Sequence, residues 1–237
     1  MVPPNFQVYS DYSKRLMEHL SGFCPDIEQA SIDECYMDFT PIADQYPSPE
    51  TAANIIKNSV YETFGFTVNI GISDKKVLAK MASDFKKPNL VHTLYSHEIR
   101  EKMWPLPLSN LFLCGKSSQD TLHKLGLVTI GDLAHADIKV IESHLKSLGT
   151  TLWQFANGID NSKVILVQEK AKGIGNSTTL SNDLTDKEDA YRTLLALSES
   201  VGARLRKQNR KCSVVITEIK YATFQSVSHQ MGLFSPT

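Results

Sequence analysis

Two neighbouring carboxylates, Asp33 and Glu34, fall between Ile27–Ile32 and Cys35–Phe39, two runs that read as strands. In a strand interior such neighbours point to opposite faces and cannot grip one ion; at a hairpin bend that restriction is lifted. Their mutual repulsion is a standing cost, which a divalent cation removes while keeping both ionised. Magnesium suits the pair, because it takes oxygen ligands, commonly one or two carboxylates, and leaves its other positions to water and substrate phosphates. A polar turn between strands explains the same two residues, and they alone do not choose between the readings. The four cysteines, Cys24, Cys35, Cys114 and Cys212, form no C-x-x-C pair, so neither zinc nor a disulfide framework is suggested, and a reducing cytoplasm is expected.

The elements that must position the acids follow from periodicity. Asp11 to Leu20 carries Leu16, Met17 and Leu20 at helical spacing and stops near Gly22. Ser48-Pro49 supplies an N-cap and a proline at the first helical position, and Ala52, Ile55, Ile56, Val60 and Phe64 then trace one face until Gly65. From Phe66 to Ser73 the period drops to two, the mark of a strand, and a second helix follows from Lys75 to Phe85. Beyond Trp104-Pro105 the chain breaks into short helical pieces punctuated by glycines as far as Asp160. After a stretch without strong periodicity come a strand near Ile174–Leu180, a long helix over 187–207, and two strands, Ser213–Tyr221 and Phe224–His229. No apolar run approaches the ~20 residues of a membrane span, and the N-terminus lacks a signal-peptide pattern.

The net charge of -1 conceals an asymmetry. Residues 1–50 are rich in acids (Asp11, Glu18, Asp26, Glu28, Asp33, Glu34, Asp38, Asp44, Glu50), whereas Arg192, Arg204, Arg206, Lys207, Arg210, Lys211 and Lys220 face only Glu199 and Glu218 near the other end. A basic end interleaved with the hydroxyls of Ser177, Thr178, Thr179, Ser226 and Ser228 suits phosphate contact without base reading.

Ser31-Ile32-Asp33-Glu34-Cys35-Tyr36-Met37-Asp38 closely resembles the S-I-D-E-x-Y-[LM]-D signature of the palm of Y-family translesion DNA polymerases, a family with DNA polymerase IV-like and UmuC-like branches. The stretch from Val68 to Ser83 is similar to the family's G-I-[SG]-x-[NK]-K-x-[LF]-A-K-x-A-S element, and Lys87-Pro88-Asn89 to its K-P-[ND]. Leu152 to Asp160 resembles the L-W-x-x-A-x-G-[IL]-D that ends the thumb. Gly175–Leu180 and Lys220–Ser228 resemble the first and second strands of the little finger. The resemblance covers essentially the whole chain, with the motifs in order.

It implies an α+β fold: a partial palm of sheet and helices over 1–104, a small all-α helix-hairpin-helix thumb over 105–160, a tether at 161–173, and a partial βαββ little finger over 174–237. It implies that Asp33 and Glu34 are catalytic metal ligands of a two-magnesium site for transfer to a primer 3′-hydroxyl, and that Lys87 reaches the incoming triphosphate. Lys80, on an amphipathic helix, is balanced between a role and solvation. Backbone N–H groups at Gly115, Lys116 and Ser117, and at a weaker second turn with Gly149 and Thr150, are expected to bind DNA phosphates. Here Leu113 stands where the family usually has the first glycine of G-[IV]-G. The DNA contacts of the last domain are expected from Ser177, Thr178, Thr179, Arg206, Arg210, Lys211, Ser226 and Ser228. Primer-template DNA and deoxynucleoside triphosphates are the implied partners of a cytoplasmic monomer that uses no membrane, with a sliding clamp as candidate partner of a tail beyond Thr237.

The family's first metal ligand lies on an N-terminal strand before the fingers, and neither Asp11 nor Asp26 has such a setting. The chain is therefore expected to be a piece of a longer enzyme, inactive alone. The alternative is a non-catalytic DNA-binding module with a vestigial palm; a palm-like nucleotidyl cyclase also uses an acidic bend but leaves Leu152–Asp160 and the basic end unexplained.

Overall fold

The computed structural model describes residues 4–167 and 171–235, so the tether expected over 161–173 lies partly outside the described residues. The chain divides into two units, Met1–Gln168 and Glu169–Thr237.

The first unit opens with α1 (Phe6–Ser21), capped by the Asn5 side chain, which accepts from the Val8 N–H. It begins earlier than the apolar spacing predicts because its first turn, with Phe6, Val8 and Tyr9, stays exposed and so adds nothing to the buried stripe of Leu16 and Leu20. The expected hairpin is present as β1 (Ile27–Gln29) and β2 (Cys35–Met37), antiparallel with Ile27 opposite Met37. α2 (Pro49–Phe64) has the Ser48 cap foreseen and ends on Gly65 at φ 75, a left-handed backbone that favours glycine. Of the run 66–73 only β3 (Ile70–Ile72) is paired, and its partner is one the alternation did not announce: β4 (Val91–Thr93), parallel, reached through α3 (Lys76–Ser83). Gly71 lets β3 and α3 meet, since a Cβ there would lie 1.9 Å from the Ala79 carbonyl oxygen and 2.5 Å from the Ser83 nitrogen.

Two apolar clusters result. Leu16, Leu20, Ile56 and Val60 gather Met17, Phe23, Cys35, Met37, Phe66 and Ile70 around them. The larger cluster joins Val77, Leu78, Met81 and Ala82 of α3 to the helical lobe through Leu94, Met103, Leu108, Leu122, Ile130, Leu133, Ile141 and Leu152. That lobe consists of α4 (Ile99–Lys102), α5 (Lys116–Lys124), α6 (Ile130–His135) and α7 (Ile138–Ala156). α7 is broken at Lys146 (φ 53, ψ -139), so it comprises two helices meeting at a sharp turn. The lobe is tied to α3 at its far end. Gly158 (φ 68) turns the chain where a Cβ would come within 2.3 Å of Ile99, and Asp160 then accepts from the Val77 N–H at 2.9 Å, an N-terminal cap that Lys75 cannot provide.

The second unit contains α8 (Lys187–Lys207) and a hairpin of β5 (Val214–Lys220) and β6 (Ser226–Gly232), with Val214 opposite Gly232. The strand expected near 174–180 is absent. Residues 174–180 are irregular, and the Gly175 carbonyl accepts from the Arg204 guanidinium at 2.5 Å instead of entering a ladder. β6 is also shifted, because Tyr221 to Phe224 are spent on the turn, where the Phe224 N–H donates to the Tyr221 carbonyl. No described residue of this unit is buried. Among the described residues, no helix is long and apolar enough to cross a membrane.

Candidate functional site

The acid pair lies on the bend between β1 and β2, held by Ser31. The N–H groups of Ala30 and Ser31 donate to the Glu34 carbonyl at 2.9 and 3.1 Å and close the hairpin. The Ser31 hydroxyl donates to Asp33 Oδ1 at 2.7 Å while accepting from the Glu34 N–H at 3.1 Å. Ser13 on α1 donates to the Ile32 carbonyl, which pins the bend against the helix. Both carboxylates are exposed.

They open onto a cleft of about 1280 Å³ whose wall also includes Lys80 and Lys87. The cleft is lined by Cys35, Tyr36 and Met37 of β2 and by Ile70, Gly71 and Ile72 of β3, but by no residue of β1 or β4. Since β2 pairs only with β1 and β3 only with β4 among the described residues, the space lies between two unpaired strand edges. Leu16, Ile56 and Val60 close it on the helix side.

Lys80 and Asp84, one helical turn apart at the end of α3, connect the acids to Lys87. Lys80 Nζ is 2.5 Å from Glu34 Oε1 and 3.0 Å from Asp84 Oδ2; Lys87 Nζ is 2.8 Å from Asp84 Oδ1. Burial opposes the charge of Lys80, but its bonds to Glu34 and Asp84 outweigh that and hold its pKa above the ordinary value. Burial likewise opposes ionisation of Asp84, and the two lysines, Lys87 and Lys80, hold its carboxyl below the usual range. The loop bearing Lys87 is fixed by Asn69, whose amide donates to the Ser83 and Lys86 carbonyls at 3.1 and 2.6 Å while its oxygen accepts from the Leu90 N–H at 3.0 Å. The Lys87–Pro88 peptide is cis.

Oxygen donors, an exposed pair of acids and a nearby lysine fit a hard divalent cation with phosphate ligands. Among the described residues no group of three His, Cys, Asp or Glu is placed to hold a metal ion. Sequence reasoning left Lys80 undecided and missed Asp84. The i, i+4 spacing of Lys80 with Asp84 and the i, i+3 spacing of Asp84 with Lys87 were the available signals.

The other expected contact residues fall into separate groups. Gly115 precedes α5 with open space around its Cα, and Lys116 and Ser117 are exposed in the first turn. Leu113 adopts φ 66, the left-handed backbone that favours glycine, and its side chain is exposed. The second turn is corrected: it bends at Lys146, not Gly149. Gly149 is buried in the helix beyond, where a Cβ would come within 2.8 Å of the Ile141 carbonyl oxygen, and Thr150 follows it. In the second unit Ser177, Thr178 and Thr179 are exposed in the irregular stretch. Arg206 is in the last turn of α8, Arg210 and Lys211 lie just past it, and Ser226 and Ser228 share one face of β6.

Models of the impB/mucB/samB family match residues 1–84, and models of its C-terminal domain match residues 171–237. The chain is similar to the DNA polymerase IV of Clostridium acetobutylicum, 45% identical over 231 residues that make up 98% of this chain and 58% of that protein. It is 37% identical over 236 residues to the DNA polymerase IV of Alkaliphilus oremlandii, covering 98% of this chain and 59% of the relative. The chain thus spans under two thirds of the length of these relatives. Among solved structures, a Y-family DNA polymerase chimera, Dbh-Dpo4(243-245)-Dbh, shares the fold with a TM-score of 0.84 at 21% identity, over 99% of this chain and 67% of that one. Agreement of the acidic bend, the motif order and these matches has one outcome: the chain belongs to the impB/mucB/samB family of Y-family DNA polymerases.

Proposed function

We propose that the cleft beside Asp33 and Glu34 is part of the catalytic centre of a translesion DNA polymerase. In that reaction the primer 3′-oxygen bonds to the α-phosphorus of a deoxynucleoside triphosphate, the bond to pyrophosphate breaks, and the hydroxyl proton passes to solvent. The observation that carries this reading is the placement of Asp33 and Glu34 on a bend lining the same cleft as Lys87. Magnesium, when bound by the two acids, would supply the positive charge that favours ionisation of the hydroxyl and tolerates charge on the phosphates.

The chain's own residues do the rest. Lys87, exposed and paired with Asp84, can exchange that partner for a triphosphate oxygen. Backbone N–H groups at Gly115 to Ser117 and after Lys146 would hold DNA phosphates, and the hydroxyls and cations of the second unit would track the backbone. One further extended strand added at the edges of β2 and β3 that are unpaired among the described residues would bring an acid of its own beside Asp33 and Glu34.

Primer extension tests this reading. The 237-residue chain alone should bind primer-template DNA but add no nucleotide. The same sequence within a protein of the relatives' length should extend primers past a damaged template base and lose that activity on Asp33→Asn. Template-directed incorporation by the chain alone would overturn the proposed need for a further strand. Retained synthesis in the Asp33→Asn protein would overturn the site. A second reading, DNA binding without catalysis, is favoured by the lack of a group of three metal-ligating residues among the described residues. It predicts DNA affinity that does not respond to Asp33→Asn or to divalent ions.

A further inference from the structure

We propose that Lys80 is the resident counter-ion of the metal-free acid pair, a positioning residue that a divalent cation must displace from Glu34 in order to bind. This rests on the reading of Asp33 and Glu34 as metal ligands. Two lysines and Asp84 adjoin the bend in a chain of ion pairs without forming a metal-binding cluster with it. Glu34 Oε1 accepts from Lys80 at 2.5 Å, Asp84 divides its oxygens between Lys80 and Lys87, and Asp33 accepts from the Ser31 hydroxyl. The lysine is the better-enclosed member, its side chain 15% exposed against 48% for Glu34. Its ammonium is also fixed from two sides, by the bend and by the end of α3.

Such an arrangement has a defined consequence. The repulsion between Asp33 and Glu34, which would otherwise favour capture of a cation, is already partly quenched by Lys80. A metal ion entering the pair has to compete for Glu34 Oε1 and sit near a positive charge. Bare divalent ions are thereby held weakly. Asp84 offers the displaced ammonium a place to remain, so the exchange does not strand a buried charge. If a phosphate ligand draws Lys87 away from Asp84, the freed oxygen strengthens the hold of Asp84 on Lys80 and loosens that on Glu34. Lys80 therefore links occupancy of the phosphate site to release of a metal-binding oxygen.

The test is a titration of the chain with Mn²⁺, following the free ion by electron paramagnetic resonance, with folding checked by circular dichroism. Lys80→Gln keeps a polar side chain between Glu34 and Asp84, and Lys80→Met keeps only the bulk. Both should bind Mn²⁺ about tenfold more tightly than the parent chain, since removing one nearby positive charge is worth that order of change. Lys80→Arg, which retains the charge, should stay close to the parent. A purely structural lysine would give the opposite pattern, with weaker or unchanged binding in Lys80→Gln and Lys80→Met, and that result would overturn the inference. If Lys80→Met does not fold, Lys80→Gln against Lys80→Arg decides alone. Binding that vanishes in Asp33→Asn without tightening in Lys80→Gln rejects the role of Lys80 only; binding indifferent to Asp33→Asn rejects the metal site with it.

Discussion

Asp160 shows how a residue can be visible in a sequence and still be misjudged. It ends the stretch that resembles the thumb terminus, and there it looks like part of a signature; the structure gives it work on another element, accepting from the Val77 N–H at the start of α3. Burial opposes its ionisation, but hydrogen bonds from Ser162 and Val77 and the charge of Lys76 hold its pKa below the ordinary 3.8. Because the folded value is the lower one, its stabilisation is fully present above pH 3.8 and fades as pH falls through the depressed value. Asp160→Ala should cost about 1 kcal/mol at neutral pH, the usual worth of a helix cap. On acidification from about pH 5 to about pH 2 the gap between Asp160→Asn and the parent should close in thermal melts; a constant gap would exclude the capping role. The acid pair was singled out by the resemblance of Ser31 to Asp38 to a palm signature, and its expected position on the bend between two strands is where the structure has it. Asp84 was not, since a single acid after a helix has many uses and only its distances to Lys80 and Lys87 separate them.

At the scale of elements, local signals decided what was foreseen. α2 carries its own start and stop in Ser48, Pro49 and Gly65, and it appears where they place it. β4 carries no such signal: three residues, Val91 to Thr93, become a strand only because β3 offers an edge. The strand expected at 174–180 is absent: those residues enter no ladder, and the Gly175 carbonyl is engaged by Arg204 instead. β3 and α3 meet closely at Gly71, where there is room for hydrogen alone. Gly71→Ala should therefore force the strand off the helix and cost at least about 2 kcal/mol. The outcome is read as a lowered midpoint in urea, and an unchanged midpoint would show that the strand and helix separate freely.

For the whole molecule the two units differ in kind. The larger apolar cluster of the first is built from α3 and the helical lobe together, so that lobe is not an appendage but shares a core with the helix that carries Lys80. The second unit has no buried residue among those described, and Phe224 is 81% exposed. Hydrogen exchange should accordingly be slow at Leu78, Leu122 and Leu152 and fast throughout α8, and brief trypsin treatment should cut at Arg192 to Lys220 before it reaches the first unit. Equal protection in both units would refute this. The cleft between β2 and β3 has a further consequence. Two strand edges that are unpaired among the described residues, floored by Leu16, Ile56 and Val60, are adhesive toward any extended peptide. Handled alone at high concentration, the chain is at risk of capturing a neighbour's loose segment there, so its solubility depends on what occupies that gap.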